Sequence, residues 1–168
     1  MKRSICLAIA AVVLGISFQA GATILNPFQR EGRVKPHTIL LTGNYAKPRL
    51  LAELAQYYTK QPVLIVSPDA DGSYQVYYMP NAREAKLVES EAELMDLVSS
   101  FIKPKRIIIL GDADYVPESL ARKLRENFSV ISLDSADWSK NADSLSRILD
   151  AKQLKAKFDA HVGASTLN

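Results

Sequence analysis

Polar and aromatic side chains follow three apolar runs of the sequence, in stretches that are typical of turns. Asn44 and Tyr45 follow the first run, and an acidic stretch follows the most strand-like run, Arg106–Leu110. In open α/β sheets, ligands bind at the carboxyl ends of the strands. We therefore expect the three turns to share one edge of a sheet and to form a ligand site. Its eight candidate residues are Asn44, Tyr45, Asp112, Asp114, Tyr115, Asp134, Asp137 and Trp138.

Two kinds of ligand fit these residue types. Aromatic rings beside polar groups could hold a sugar by stacking and hydrogen bonding, and carboxylate oxygens are the ligands that Ca²⁺ and Mg²⁺ prefer. The alternative is that Asp and Asn follow strands because their side chains cap helices and bond their own turns. For any single aspartate the capping interpretation is favoured, so the site hypothesis depends on the group.

Signatures of the common catalytic and cofactor-binding sites are absent from the sequence. Gly43 and Gly111 each stand alone, so neither the dinucleotide-binding nor the phosphate-binding glycine loop is present. His37 and His161 are far apart and lack an E-x-x-H companion, which argues against zinc. No G-x-S-x-G elbow supports a hydrolase triad. The sequence therefore predicts no catalytic residue, no metal ligand and no cofactor.

Two similar strand–helix–strand units organise the chain. The first joins apolar residues 38–41 to residues 63–66 through an amphipathic helix that begins near Pro48. The second joins Arg106–Leu110 to residues 128–133 through a helix that begins near Pro117. Proline suits a first helical turn because its missing N–H has no partner to lose there. Continuous apolar runs are typical of parallel strands that are buried on both faces.

An antiparallel excursion is predicted between the two units. Asp71-Gly72 is a hairpin-type turn signal, and residues 74–79 alternate in the manner of a strand. Ser90 and Glu93 form a capping box that should begin a helix. Two more helices are expected after Trp138. The pattern predicts a small three-layer α/β fold, whose mixed, mainly parallel sheet has helices on both faces and one antiparallel hairpin.

The first 22 residues are typical of a secretory signal peptide. Lys2 and Arg3 precede an apolar run, and Ala20 and Ala22 supply the A-x-A cleavage pattern. The run is shorter than the roughly 20 residues of a membrane span, so cleavage is favoured over an anchor and no span should remain. We predict an extended lead-in (23–36), a single α/β domain (37–162) and a flexible tail (163–168). The protein is expected to be periplasmic or extracellular.

Signal cleavage also changes the charge and the cysteine content. The formal net charge is +3, and loss of Lys2 and Arg3 leaves +1, which gives no global argument for nucleic-acid binding. Cys6 is the only cysteine and would also be lost. The mature chain is therefore expected to contain neither a disulfide nor a reactive thiolate.

The second unit has a recognisable order of motifs. Lys103-Pro104-Lys105 leads into the aliphatic run, Gly111 follows it, and Val116 precedes the helix. In this order the segment 101–149 resembles the cell wall binding repeat of secreted bacterial surface proteins, and residues 40–66 are similar to the other half of that repeat. The family's Gly-Gly turn is replaced by Gly111-Asp112 in this chain. This departure from the family pattern lies at a turn where a ligand would bind. The resemblance implies an α/β fold and binding to a wall polymer.

Two functions from different classes are predicted. The first is an exported, non-catalytic α/β module that binds a cell-envelope component or a partner protein. The alternative is an exported metal-dependent hydrolase that uses an acidic cleft at the strand carboxyl ends. The two differ in geometry, because the hydrolase requires the carboxylates of Asp112, Asp114 and Asp134 to converge.

Overall fold

The structure, a computed structural model, describes residues 37–69, 71 and 73–165. The predicted signal peptide and lead-in lie outside the described residues, as do the last three residues of the predicted tail. The described chain is an α/β fold with a six-stranded mixed sheet and five α-helices. In chain order the elements are β1 (Thr38–Gly43), α1 (Ala46–Thr59), β2 (Val63–Pro68), β3 (Tyr74–Asn81), β4 (Glu84–Val88), α2 (Glu91–Asp96), a π-helical turn (Leu97–Ile102), β5 (Arg106–Leu110), α3 (Glu118–Asn127), β6 (Val130–Leu133), α4 (Trp138–Leu149) and α5 (Leu154–Ser165).

The strands lie in the order β4-β3-β2-β1-β5-β6. The two predicted strand–helix–strand units are confirmed as the parallel pairs β1–β2 and β5–β6, and β1 also pairs in parallel with β5. β3 is antiparallel to both β2 and β4. The sheet therefore contains two antiparallel strand pairs where one antiparallel hairpin was predicted. The second pair arises because residues 84–88 form a full strand beside β3. In that strand Val88 pairs with Val76 and is buried beside it.

Buried side chains on β1 and β5 alternate between the two faces of the sheet. Ile39 and Leu41 belong to one apolar cluster with residues of α2, the π-helical turn and α3. Leu40 and Ile108 belong to a second cluster with residues of α1, α4 and α5. Both faces of the central strands are thus covered, which explains why their sequences are continuously apolar.

The turn between β2 and β3 is stabilised by its own polar groups. The hydroxyl of Ser73 donates to Asp71 Oδ1 at 2.6 Å, and the backbone N–H of Ser73 donates to the same oxygen at 2.9 Å. These hydrogen bonds hold the pKa of Asp71 below its ordinary value. Ala70 and Gly72 of this turn lie outside the described residues.

The C-terminal helix is part of the core. Leu154 and Phe158 of α5 are buried in the cluster that also contains residues of α1 and α4. The helix continues to Ser165, past the predicted domain boundary at residue 162. Within the described residues, no helix has both the length and the apolar character that crossing a bilayer requires.

The predicted capping box begins α2, with one difference. Ser90 Oγ accepts from the backbone N–H of Glu93 at 3.1 Å, as expected. The Glu93 carboxylate accepts from the N–H of Glu89 at 2.7 Å, one residue before the predicted partner. We predict that Ser90→Ala lowers the free energy of unfolding by about 1 kcal/mol, because the N–H of Glu93 loses its acceptor.

Urea denaturation measures this effect. Ser119→Ala is the matched control, since Ser119 is exposed inside the first turn of α3 and should change stability by less than about 0.5 kcal/mol. Equal stability of the two variants would show that the Ser90 cap contributes nothing.

Candidate functional site

The three predicted turns do lie at one edge of the sheet. β1, β5 and β6 are parallel and adjacent, so their carboxyl ends are neighbours. The ring centroids of Tyr45 and Tyr115 are 5.3 Å apart, and those of Tyr115 and Trp138 are 5.2 Å apart, both edge to face. One aromatic ring from each turn therefore joins a continuous row, which we name the aromatic row (Tyr45, Tyr115 and Trp138).

Tyr115 fills the crevice between the ends of β1 and β5. The chain leaves β1 toward β2 and leaves β5 toward β6, in opposite directions, and in α/β sheets such a switch point is where a ligand crevice opens. Here a Cβ on Gly43 would lie 2.4 Å from the carbonyl oxygen of Tyr115. A Cβ on Gly111, whose φ is +102°, would lie 2.7 Å from the Tyr115 ring. The two glycines leave room for Tyr115, and Tyr115 closes the crevice.

The members of the aromatic row differ in access to solvent. Tyr45 is 42% exposed, whereas Trp138 is 8% exposed and belongs to the core cluster beneath α4. Tyr115 is half-buried between them. Trp138 was predicted as a ligand contact, but its side chain lies below the surface and packs edge to face against the Tyr115 ring. Tyr45 is thus the ring of the row that a ligand can reach most easily.

Two of the four predicted aspartates bond their own turns. Asp112 Oδ1 accepts from the backbone N–H of Asp114 at 3.0 Å, and Asp137 Oδ1 accepts from that of Ser139 at 3.0 Å, at the start of α4. The capping interpretation is therefore confirmed for Asp112 and Asp137. Asp114 and Asp134 are exposed, and their carboxylates accept no hydrogen bond from another described residue. They remain available to a ligand.

Asn44 is held in place by its neighbours. Its Oδ1 accepts from Arg49 Nη1 at 3.0 Å, and its Nδ2 donates to Ser67 Oγ at 3.3 Å, at the end of β2. Arg49 in turn donates to Glu53 one helical turn further along α1. The amide is exposed but fixed, which suits a polar contact with a defined orientation.

A small cavity lies beside the aromatic row, on the α3 face. Its volume is about 120 Å³, and Asp112 and Asp134 both contribute to its wall. The sequence interpretation missed three other lining residues, Glu118, Arg125 and Ser132. Arg125 donates to Glu118 at 2.9 Å and to Ser132 at 3.1 Å, across the cavity wall. The seven-residue spacing of Glu118 and Arg125, two turns of one helix, was the available sequence signal.

In the described part of the chain, the acidic residues of this edge form no cluster of three or more that could hold a metal ion. Among residues 37–69, 71 and 73–165 there is no group of three or more His, Cys, Asp or Glu side chains that could hold a metal ion. Asp112, Asp114 and Asp134 share an edge without forming such a group. Nothing in this geometry favours the hydrolase over the binding module.

Comparison with known proteins returned no relative. The sequence matches no family model, no curated protein and no solved structure. The resemblance to the cell wall binding repeat therefore stays a prediction.

Proposed function

We propose that the protein is an exported, non-catalytic α/β module that binds a cell-envelope component through the carboxyl edge of its sheet. The observation that carries this proposal is the closure of the switch-point crevice by Tyr115. The cavity beside Tyr115, about 120 Å³, is well below the roughly 300–1,000 Å³ of pockets that enclose a small ligand. Such an edge suits an extended polymer lying across it better than an enclosed substrate.

The side chains at this edge suit a polymer that contains sugars. The exposed Tyr45 ring offers an apolar surface to a sugar face, and Asn44 offers both a donor and an acceptor. The free carboxylates of Asp114 and Asp134 accept hydrogen bonds from hydroxyl, amide or amino groups. The cavity beside them has room for one substituent of the polymer. A partner protein is the other occupant that the sequence predicts.

Export and the finer features of the fold belong to the same proposal. Export is supported by the charged, apolar and small-residue segments of residues 1–22. The three-layer, mainly parallel interpretation is supported by three parallel strand pairs against two antiparallel pairs, and by apolar clusters on both faces of β1.

Retention on purified peptidoglycan sacculi tests the proposal. The chain expected after signal cleavage, residues 23–168, should bind, and Tyr45→Ala should bind about tenfold more weakly, because exposed aromatic anchors carry much of the binding energy at such surfaces. Tyr57→Ala is the matched control, since Tyr57 is 64% exposed near the other end of α1 and should leave retention unchanged.

Two results would contradict the proposal. One is a folded protein that is retained neither by sacculi nor by an envelope protein. The other is an equal loss of retention in the Tyr45 and Tyr57 variants, which would place binding away from the carboxyl edge. A protein that does not bind sacculi but binds an envelope protein, and loses that binding in the Tyr45→Ala variant, would be the partner-protein form of the module.

A further inference from the structure

The amino ends of the parallel strands carry a group of basic side chains. We name this group the basic patch, and it consists of His37, Lys60, Lys103, Lys105, Arg106 and Lys152. The patch lies at the opposite end of the strands from the aromatic row. The basic patch has no part in the function proposed for the carboxyl edge.

Backbone contacts place these residues together. The carbonyl of His37 accepts from the N–H groups of Lys105 and Arg106, at 3.0 Å and 3.3 Å. Lys60 precedes Gln61, whose side chain accepts from the N–H of Thr38, the residue after His37. The starts of β1, β2 and β5 therefore bring Lys60, His37 and Lys105 side by side.

The C-terminal part of the chain adds Lys152 to the patch. Arg106 Nη2 donates to the carbonyl of Ile148 at 3.0 Å, which fixes the end of α4 beside the start of β5. Lys152 is exposed and lies in the short connection between α4 and α5. Acidic side chains also lie at this end of the domain, among them Glu84, Glu126 and Asp150.

Three lysines of the patch, Lys103, Lys105 and Lys152, form no ion pair with a described carboxylate. Ion pairs between described residues are formed by Arg49, Lys123, Arg125, Arg147 and Lys155. Lys103, Lys105 and Lys152 are exposed, and no described carboxylate lies within 4.0 Å of their ammonium groups. Exposed and spread along an edge, these ammonium groups suit an extended anionic surface rather than a compact anion in a pocket.

The opposite edge has the opposite charge. The turns there carry carboxylates from the β2–β3, β5–α3 and β6–α4 connections, namely Asp69, Asp71, Asp112, Asp114, Asp134 and Asp137. Lys47, Arg49 and Lys140 lie at the same edge, at the starts of α1 and α4, and are outnumbered by these carboxylates. The two ends of the domain therefore differ in charge, although its net charge is small. An anionic surface would attract the basic end and repel the other, which sets an orientation.

The chain outside the described residues joins the domain at the basic patch. Residue 36 precedes His37, and the segment 23–36 contains Arg30, Arg33 and Lys35 against Glu31. His37, the residue to which this basic segment is joined, is thus at the same end of the domain as Lys103, Lys105 and Lys152.

We propose that the basic patch binds the anionic phospholipid headgroups of a membrane surface. Lysine and arginine side chains within a Debye length of such a surface are attracted to its negative potential. Bound in this orientation, the domain presents the aromatic row and its free carboxylates away from the membrane. The proposal concerns a different surface from the carboxyl edge, so either one can fail without the other.

Vesicle sedimentation at low ionic strength tests the patch. Residues 23–168 are mixed with vesicles of phosphatidylglycerol and phosphatidylcholine in equal parts, or of phosphatidylcholine alone. The triple variant Lys103→Asn, Lys105→Gln, Lys152→Gln should bind the anionic vesicles about a hundredfold more weakly, since each lysine near such a surface strengthens binding about fivefold. Asparagine is chosen at position 103 because that residue has a φ of +50°.

A charge-matched control separates the patch from net charge. The triple variant Lys47→Gln, Lys86→Gln, Lys140→Gln removes the same charge from other parts of the surface and should weaken binding by less than about fivefold. Tyr45→Ala should bind vesicles as the unaltered protein does. Near- and far-ultraviolet circular dichroism confirms that each variant is folded.

Three outcomes would overturn the proposal. The first is equal sedimentation with neutral and anionic vesicles. The second is an equal loss in the two triple variants, which would make the attraction a matter of net charge alone. The third is binding to soluble polyphosphate, tested in parallel, without binding to vesicles, which would make the partner a soluble polyanion instead of a membrane.

Discussion

Replacing Gly43 by alanine is expected to destabilise the protein by about 3 kcal/mol. The new Cβ would lie 2.4 Å from the carbonyl oxygen of Tyr115 and 2.9 Å from the Tyr45 ring, so backbone must move to admit it. β1 has paired strands on both sides and cannot shift freely. Overpacking of a closed core costs about 1–3 kcal/mol, and an obstacle that is backbone places this site at the upper end of that range.

Urea denaturation followed by far-ultraviolet circular dichroism measures the change in the free energy of unfolding. Gly163→Ala is the matched control, because in the described chain the Cβ that would be added in α5 meets nothing within 4 Å beyond its own stretch of helix. That variant should be stabilised by about 0.5–1 kcal/mol, since alanine favours a helix over glycine. A Gly43→Ala protein as stable as the unaltered one would mean that Tyr115 does not fill the crevice.

Removal of the Tyr115 ring is the second large effect expected. Tyr115→Ala deletes the ring that contacts Tyr45 on one side and Trp138 on the other, and opens the crevice between β1 and β5. We expect the free energy of unfolding to fall by about 3 kcal/mol, from lost burial and two lost edge-to-face contacts. Retention on sacculi should fall as well, because Tyr45 loses its support.

Tyr115→Phe separates the ring from its hydroxyl. The phenyl ring keeps both aromatic contacts, so the variant should lose less than about 1 kcal/mol. Trp138 is the only tryptophan, and its fluorescence reports directly on the space beside it. Tyr115→Ala should shift that emission and Tyr115→Phe should not. Equal stability of the Ala and Phe variants would contradict a packing role for the ring.

The sequence predicted the framework of the fold because that framework depends on local patterns. The aliphatic run Arg106–Leu110 became a strand buried on both faces, and Pro117 became the cap residue before α3. Ser90 and Glu93 predicted the start of α2 through side chains that bond within four residues. Each of these features is decided by neighbours in the chain.

The packing of the turn residues depends on contacts with residues that are distant in the chain. The sequence therefore did not reveal this packing. The position of Tyr115 is set by the absence of a side chain at Gly43, in a different strand. Trp138 looks like any turn aromatic in the sequence, but it lies in the core because α4 packs against α1 and α5.

The central place of β1 has a consequence for the order in which the domain can fold. Among the described residues β1 is the first strand, but its partner β5 begins 68 residues later, where Arg106 Nε donates to Thr38 Oγ1. A chain that emerges from its N-terminus must leave one side of β1 unpaired until β5 has appeared, and pairing over so long a loop is slow to nucleate. If a channel exports the chain as it is synthesised, it would therefore receive a chain whose sheet is incomplete. Such a channel would not have to unfold a completed sheet.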